Sequence, residues 1–145
     1  MKVEHILHRK TEGIVAIDIS CHLQSAARLM MRNQIAALIV TDSGEPVGLV
    51  SERDLVNALA DKGPAAADTP VCAAITGPVP AVSRNESLTR AMALMTGKRL
   101  RHLPVFENRD LVGVVSMDDL IKYRLEEIEL NCEVLPDLVT QRYRG

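Results

Sequence analysis

Sliding the chain along itself by 65 residues lays positions 15–59 over 80–124 without a gap, and 13 of the 45 aligned residues are identical. Many of the others exchange one aliphatic residue for another. The densest match sets Val47-Gly48-Leu49-Val50-Ser51-Glu52-Arg53-Asp54-Leu55-Val56 against Val112-Gly113-Val114-Val115-Ser116-Met117-Asp118-Asp119-Leu120-Ile121. An internal repeat of this length constrains the fold strongly, because each copy is too small to bury a core alone. Two pseudo-symmetric units packed face to face are therefore expected.

Within each copy the hydrophobic period alternates. Leu23, Ala26, Ala27, Met30 and Met31 recur at helical spacing, as do Leu88, Ala91, Met92 and Met95. Ser20 and Asn85 precede these runs and are the expected N-caps. The apolar runs 36–40 and 102–106 are too short for helices and read as buried strands. Each leads through a polar turn, Asp42-Ser43-Gly44-Glu45 or Glu107-Asn108-Arg109-Asp110, into a second apolar run ending at Ser51 or Ser116. That is the pattern of a hairpin. A second helix follows, with Asp54 and Leu55 in one copy and Asp119 and Leu120 in the other. With brief first strands at 14–17 and 79–82, each unit reads strand–helix–strand–strand–helix. The fold class is α/β (α+β).

Between the copies, residues 62–70 have the Gly, Pro and small residues of a linker. Thr69 as cap with Pro70 at the first helical position predicts a short helix over 71–75, matched by one over 3–7. The expected organisation is a first repeat with its N-terminal helix at 1–61, a linker at 62–70, a second repeat at 71–130 and a helical C-terminal extension at 131–145. Leu125, Ile128, Cys132 and Leu135 form a stripe on the last helix that suits either a partner subunit or the chain's own core.

The phrase Gly-aliphatic-aliphatic-Ser-x-x-Asp occurs twice, each time at a strand-to-helix junction. Glycine permits close approach to the strand end. Ser and Asp three residues apart put a hydroxyl and a carboxylate on one side of the first helical turn. There the carboxylate can accept hydrogen bonds from both hydroxyls of a ribose, and backbone N–H groups can meet an anionic oxygen. Helix capping is the plainer role for the same residues, with Ser51 and Ser116 as N-caps and both Asp side chains favoured by the helix dipole.

The repeated phrase, with Arg101-His102-Leu103-Pro104-Val105 ahead of its second copy, resembles the cystathionine β-synthase (CBS) domain. Two in tandem resemble the paired CBS (Bateman) module, here in a small stand-alone bacterial form. The likeness runs from the N-terminal helix to about residue 130. It implies two clefts that bind adenosyl ligands (AMP, ADP, ATP, S-adenosylmethionine or NAD) as regulatory ligands, not as catalytic cofactors. It also implies a sensor that signals to a partner protein, whose identity the sequence does not give. The ligand-binding residues expected on this basis are Ser51, Asp54, Ser116, Asp119, Arg101 and His102, together with Ile17, Ala37, Val82 and Pro104.

Lys98, Arg99, Arg101 and His102 cluster ahead of the run 102–106, where the first copy has Asn33, Gln34, Ala36 and Ala37. Family members with Arg-His here aim them at ligand phosphates, so the second site is expected to prefer a phosphorylated ligand. The same cations also suit a solvated helix C-terminus. A structural dimerisation module with vestigial clefts is the competing reading, and a nucleotide-hydrolysing enzyme a third. The sequence reveals no nucleophile or oxyanion arrangement, so a non-enzyme is expected.

Composition excludes other classes. The net charge of −2 opposes a duplex nucleic-acid binder, and Phe106, Tyr123 and Tyr143 are too few for a base-stacking platform. Cys21, Cys72 and Cys132 show no CxxC spacing, which favours a reducing cytoplasm over a disulfide framework or a thiolate metal site. His5, His8 and the Cys21-His22 pair lack a third ligand at metal spacing. Thr96-Gly97-Lys98 lacks the spacing of a P-loop. The longest purely apolar run, 35–40, is far short of a membrane span, and the first ten residues hold no signal-peptide core. A soluble cytoplasmic protein with no nucleic-acid or membrane partner is expected. The helices over 23–32 and 88–95 spread Ala26, Ala27, Met30, Met31, Met92, Leu94 and Met95 over more than one face. That excess predicts a homodimer with an isologous helical interface, Met31 near its centre.

Overall fold

The computed structural model describes residues 2–7, 13–75 and 80–131, with residues 130 and 131 described by backbone only. After a short helix α1 (Val3–Leu7), the first copy runs β1 (Ala16–Asp18), α2 (Leu23–Asn33), β2 (Ala37–Asp42), β3 (Glu45–Ser51), α3 (Glu52–Lys62). The second runs β4 (Val82–Ser83), α4 (Leu88–Lys98), β5 (His102–Glu107), β6 (Asp110–Ser116), α5 (Met117–Asn131). Each copy builds a three-stranded sheet with its second strand central, parallel to the first strand and antiparallel to the third. The unit order strand–helix–strand–strand–helix is the one the repeat predicts.

The hairpins close with two residues in the left-handed region, Ser43 and Gly44 in one copy, Asn108 and Arg109 in the other. This turn form matches the right-handed twist of the flanking strands. Both pairs shift register at the same place, between Val40 and Thr41 and between Val105 and Phe106. Side chains alternate along the strands. Leu38, Val40 and Val50 join the helix-covered core of the first copy, whereas Ile39 and Leu49, on the opposite face, are buried as well. In the second copy Leu103, Val105 and Val115 face the core while Pro104 is buried outside it.

The segments ahead of the copies are exchanged. Although α1 precedes the first copy, Val3 and Ile6 are buried in the core of the second with Val82, Leu88 and Leu103. Val3 N–H donates to the Glu86 carbonyl (2.9 Å) and Glu4 N–H to that of Arg84 (3.0 Å). Conversely, Val71 precedes the second copy and is buried in the first with Ile17, Leu23 and Leu38. Its N–H donates to the Cys21 carbonyl at 2.7 Å. Each copy thus completes the other's core.

Several local expectations need correcting. The helices begin at His22, which makes no side-chain cap, and at Ser87, whose Oγ accepts from Arg90 N–H at 3.2 Å. Ser20 is used in the preceding turn instead, its N–H and hydroxyl both donating to Asp18 Oδ1. Those two bonds hold the Asp18 carboxyl below the usual carboxylate range. Asn85 is likewise a turn residue, its N–H on Ser83 Oγ. The linker is helical: Gly63–Asp68 is a 3-10 helix, and Thr69 closes it through Oγ1 to the Ala65 carbonyl (3.1 Å) rather than capping the next turn. The helix expected over 71–75 shortens to a 3-10 turn, Val71–Ala73, with Pro70 as its cap. The apolar residues of α2 do lie on more than one face: Leu23, Ala26 and Met30 point inward, whereas Ala27 is exposed and Met31 is 73% exposed. The strand expected from 14 begins at Ala16. Val79 lies outside the described residues, as do Cys132 and Leu135 of the proposed stripe and the tail from 132 onward.

One asymmetry has a direct chemical cause. In the first copy Ile39 N–H donates to the Val15 carbonyl at 3.1 Å. The aligned residue in the second copy is Pro104, which has no N–H to give. The ladder therefore opens one step later, and β4 holds two residues where β1 holds three.

Candidate functional site

The repeated Ser-x-x-Asp forms the same reciprocal cap in both copies. Ser51 N–H donates to Asp54 Oδ2 (2.8 Å), and Asp54 N–H donates back to Ser51 Oγ (3.4 Å). Ser116 N–H donates to Asp119 Oδ2 (2.9 Å), and Asp119 N–H to Ser116 Oγ (3.1 Å). Two orphan amides at each helix start are satisfied in this way. Capping therefore accounts for the residue types without any ligand. The cap engages Oδ2 of each carboxylate, and a carboxylate offers about four acceptor directions. All four residues are half-buried, at the foot of a helix whose amides favour negative charge.

Strand register decides what joins each cap. Ala37 lies directly opposite Ser51, and His102 directly opposite Ser116. The first amide of each second helix donates across the same gap: Glu52 N–H to the Ala36 carbonyl at 3.0 Å, Met117 N–H to the Arg101 carbonyl at 2.8 Å. By the two-residue alternation, His102, Pro104, Val114 and Ser116 share the sheet face away from the helical core, as do Ala37, Ile39, Leu49 and Ser51. The expected residues Ser116, Asp119, Arg101 and His102 thus come together at one end of one sheet, with Arg101 exposed and His102 half-buried. Ser51, Asp54 and Ala37 come together at the corresponding end of the other. Ile17 and Val82 differ in kind: their side chains are buried in the hydrophobic cores, which leaves only their backbones to meet a ligand.

The two ends carry different charge. Lys98, Arg99, Arg101 and His102 of the second copy align with Asn33, Gln34, Ala36 and Ala37. Lys122, exposed on α5 one turn beyond Asp118 and Asp119, aligns with Asn57 and extends the same contrast. Sequence reasoning passed over Lys122, though the 65-residue alignment alone would have shown it. The motif glycine of the second copy has a packing role. A Cβ on Gly113 would lie 2.6 Å from Leu7 Cδ2, and one on Gly48 would lie 3.6 Å from Ile75 Cδ1. Glycine at 113 is what admits Leu7 of the exchanged α1, whereas position 48 would hold a Cβ in ordinary contact with Ile75. Among the described residues, no three His, Cys, Asp or Glu side chains cluster as metal ligands, and no helix is long and apolar enough to cross a membrane.

A family model described as the CBS domain matches residues 3–61 and again 71–126. A CBS-domain containing protein from Agrobacterium tumefaciens superposes with a TM-score of 0.82 at 36% identity, covering 86% of this chain and 99% of that one. A mitochondrial CBS domain-containing protein of Arabidopsis thaliana is 30% identical over 107 residues, which span 70% of this chain and 52% of that relative's length. A CBS domain protein from Pyrobaculum aerophilum, complexed with AMP, shares the fold at a TM-score of 0.72 and 24% identity, covering 82% and 89% of the two chains.

Proposed function

The chain belongs to the CBS-domain family, and on that premise we propose that it is a regulatory module that binds an adenosyl ligand and reports occupancy to a partner protein, without catalysing a reaction. Ser116, Asp119, Arg101 and His102 form the tighter site, with Pro104 beside them and the Val82 backbone at its edge. Ser51, Asp54 and Ala37, with the Ile17 backbone, form the weaker one. Asp54 and Asp119 accept the ribose hydroxyls. The cations of the second copy take the phosphates, as in AMP, ADP, ATP or NAD, whereas the first site, which lacks those cations, suits a ligand with less negative charge, such as S-adenosylmethionine.

The observation that carries this reading is the charge contrast between two otherwise matching ends. Capping explains Ser and Asp in both copies, but it does not call for Arg101 and His102 beside only one cap, with Lys98, Arg99 and Lys122 close to it in sequence. A phosphorylated ligand at that cap does. The AMP held by the Pyrobaculum aerophilum protein supports AMP as the first ligand to titrate. The capping boxes themselves favour the second reading, a structural dimerisation module whose caps serve stability alone. Calorimetric titration with AMP, ATP, S-adenosylmethionine and NADH separates the two. Heat from at least one at micromolar to millimolar concentration is expected, and none from any ligand at millimolar concentration overturns the sensing reading.

Assembly as a homodimer is part of the same proposal. Exposed apolar side chains fall mainly on α3 (Val56, Leu59) and α5 (Ile121, Leu125, Ile128), besides Met31 on α2. The α4 residues Met92 and Leu94 pack partly on their own core. The stripes on α3 and α5 occupy corresponding helices of the repeat, so a second copy can meet them in an isologous contact.

A further inference from the structure

We propose that α1 is a detachable strap through which occupancy of the second site is read out. It docks on the inside of the corner whose outside carries Ser116 and Asp119, so docked α1 and bound nucleotide favour one another. The proposal rests on the nucleotide reading above and concerns how occupancy leaves the site. The corner is the junction of β6 and α5. Val115 and Leu120 point from it into the core, and Val3 and Ile6 of α1 are buried in that same core. Ser116 and Asp119, their immediate neighbours in the chain, form the cap. Ser116 lies on the sheet face away from the helical core, by the alternation along β6. Leu7 extends the contact along β6, filling the space that Gly113 leaves. The stretch 115–120 thus has α1 against one side and the candidate ligand residues on the other.

Two properties suit α1 to this duty. Its five residues are far fewer than a helix needs to persist alone in water, so it is either docked or unwound. An element with two discrete states is one that a ligand can bias. Its docking also depends on the geometry of the corner. Leu7 rests on β6, while α1 packs on α5 as well, whose Leu120 shares its core. Val3 and Glu4 N–H fix its place by donating to the Glu86 and Arg84 carbonyls. A ligand held by both Ser116 and Asp119 restrains the angle between β6 and α5, and docked α1 requires that same angle. Each therefore raises the affinity for the other by a common factor.

Amide exchange of the intact chain under rising AMP tests this, in an Asp54→Ala background that confines binding to the second site. The Val3 and Glu4 amides are expected to slow at least about fivefold, the low end of typical coupling between sites, and then to reach a plateau. The plateau is the signature of local opening in a protein that keeps its nucleotide, and its height is the coupling factor. Amides that open only with the whole fold go on slowing as AMP rises. Asp119→Ala should remove the effect. Reciprocity supplies a second measurement. Ile6→Asp places a carboxylate at a buried position and expels α1, which fast exchange at Val3 and Glu4 verifies. AMP should then bind more weakly by the plateau factor; if this variant does not fold, exchange in the Asp54→Ala protein decides alone. AMP binding without slowing at Val3 and Glu4, slowing without a plateau, or undiminished affinity with α1 expelled overturns this proposal alone. No binding of AMP overturns the nucleotide reading and this proposal with it.

Discussion

Adding one methyl group at Gly113 tests the exchange of segments at its tightest point. The ideal Cβ falls 2.6 Å from Leu7 Cδ2, and Leu7 Cγ and Cδ1 follow at 3.8 and 3.9 Å. Separations below about 3 Å between carbons are repulsive, so Leu7 must rotate or α1 must lift off β6. Overpacking of this kind costs about 1–3 kcal/mol. Against it stands a gain of about 0.4–1 kcal/mol, because alanine restricts the unfolded chain and Gly113 does not need a positive φ. Gly113→Ala is therefore expected to destabilise by about 1 kcal/mol, or about 2–4 °C in Tm for a chain of this size. Gly48→Ala is the internal control, since its Cβ meets Ile75 Cδ1 at an ordinary 3.6 Å and the entropic gain is the same. It should be neutral or slightly stabilising. Urea denaturation of both variants, with Leu7→Ala and the Leu7→Ala/Gly113→Ala pair, completes a double-mutant cycle. The clash predicts that Gly113→Ala becomes harmless once Leu7 is truncated. Equal stability of the two glycine variants, or an undiminished cost in the double mutant, would refute the packing of α1 on the second copy.

Three further predictions address the site, the turn and the assembly. Asp119→Ala should weaken AMP binding more than Asp54→Ala, each losing charge-assisted ribose contacts worth roughly 1.5–3 kcal/mol; a larger loss at Asp54 would place the tighter site in the first copy. Arg109 sits at a φ of 79° where the first copy has Gly44 at 83°, so Arg109→Gly should stabilise by about 1 kcal/mol in thermal unfolding; destabilisation would mean its side chain is needed. Light scattering should give twice the 15.9 kDa of one chain, and Leu125→Glu should return it to one; a monomer before any mutation ends the dimer proposal.

The architecture was legible because its signals are local. Helical spacing, short apolar runs and paired polar turns each depend on neighbours within a few residues, and the 65-residue repeat let one copy check the other. The helix starts were misplaced for an equally local reason. Ser20 and Asn85 are good capping types, but the turn from β1 into α2 needs Ser20 to bind Asp18, and the aligned turn holds Asn85 against Ser83. The exchange of α1 and Val71 left no such trace. Val3 and Ile6 show only that a helix has an apolar side, and periodicity does not say whose core receives it. Gly113 was the one pointer, though a glycine that admits Leu7 looks the same in sequence as one that admits a ligand.

At the site, the repeat was more informative where its copies disagree than where they agree. Identical residues, Ser51 with Ser116 and Asp54 with Asp119, turned out to share a capping box, which any helix of this kind can use. Structural duties are held in common because both copies must fold. A difference at a position that is not needed for folding has no such explanation. Lys98, Arg99, Arg101, His102 and Lys122 replace neutral residues around one cap, and Pro104 removes a ladder bond that the other copy makes. Four of these side chains are exposed and His102 is half-buried, so none of them builds the core. A lost backbone bond lowers stability unless another donor takes its place. Both departures fall at the same end of the same sheet, which is where the proposed phosphorylated ligand would meet the cations.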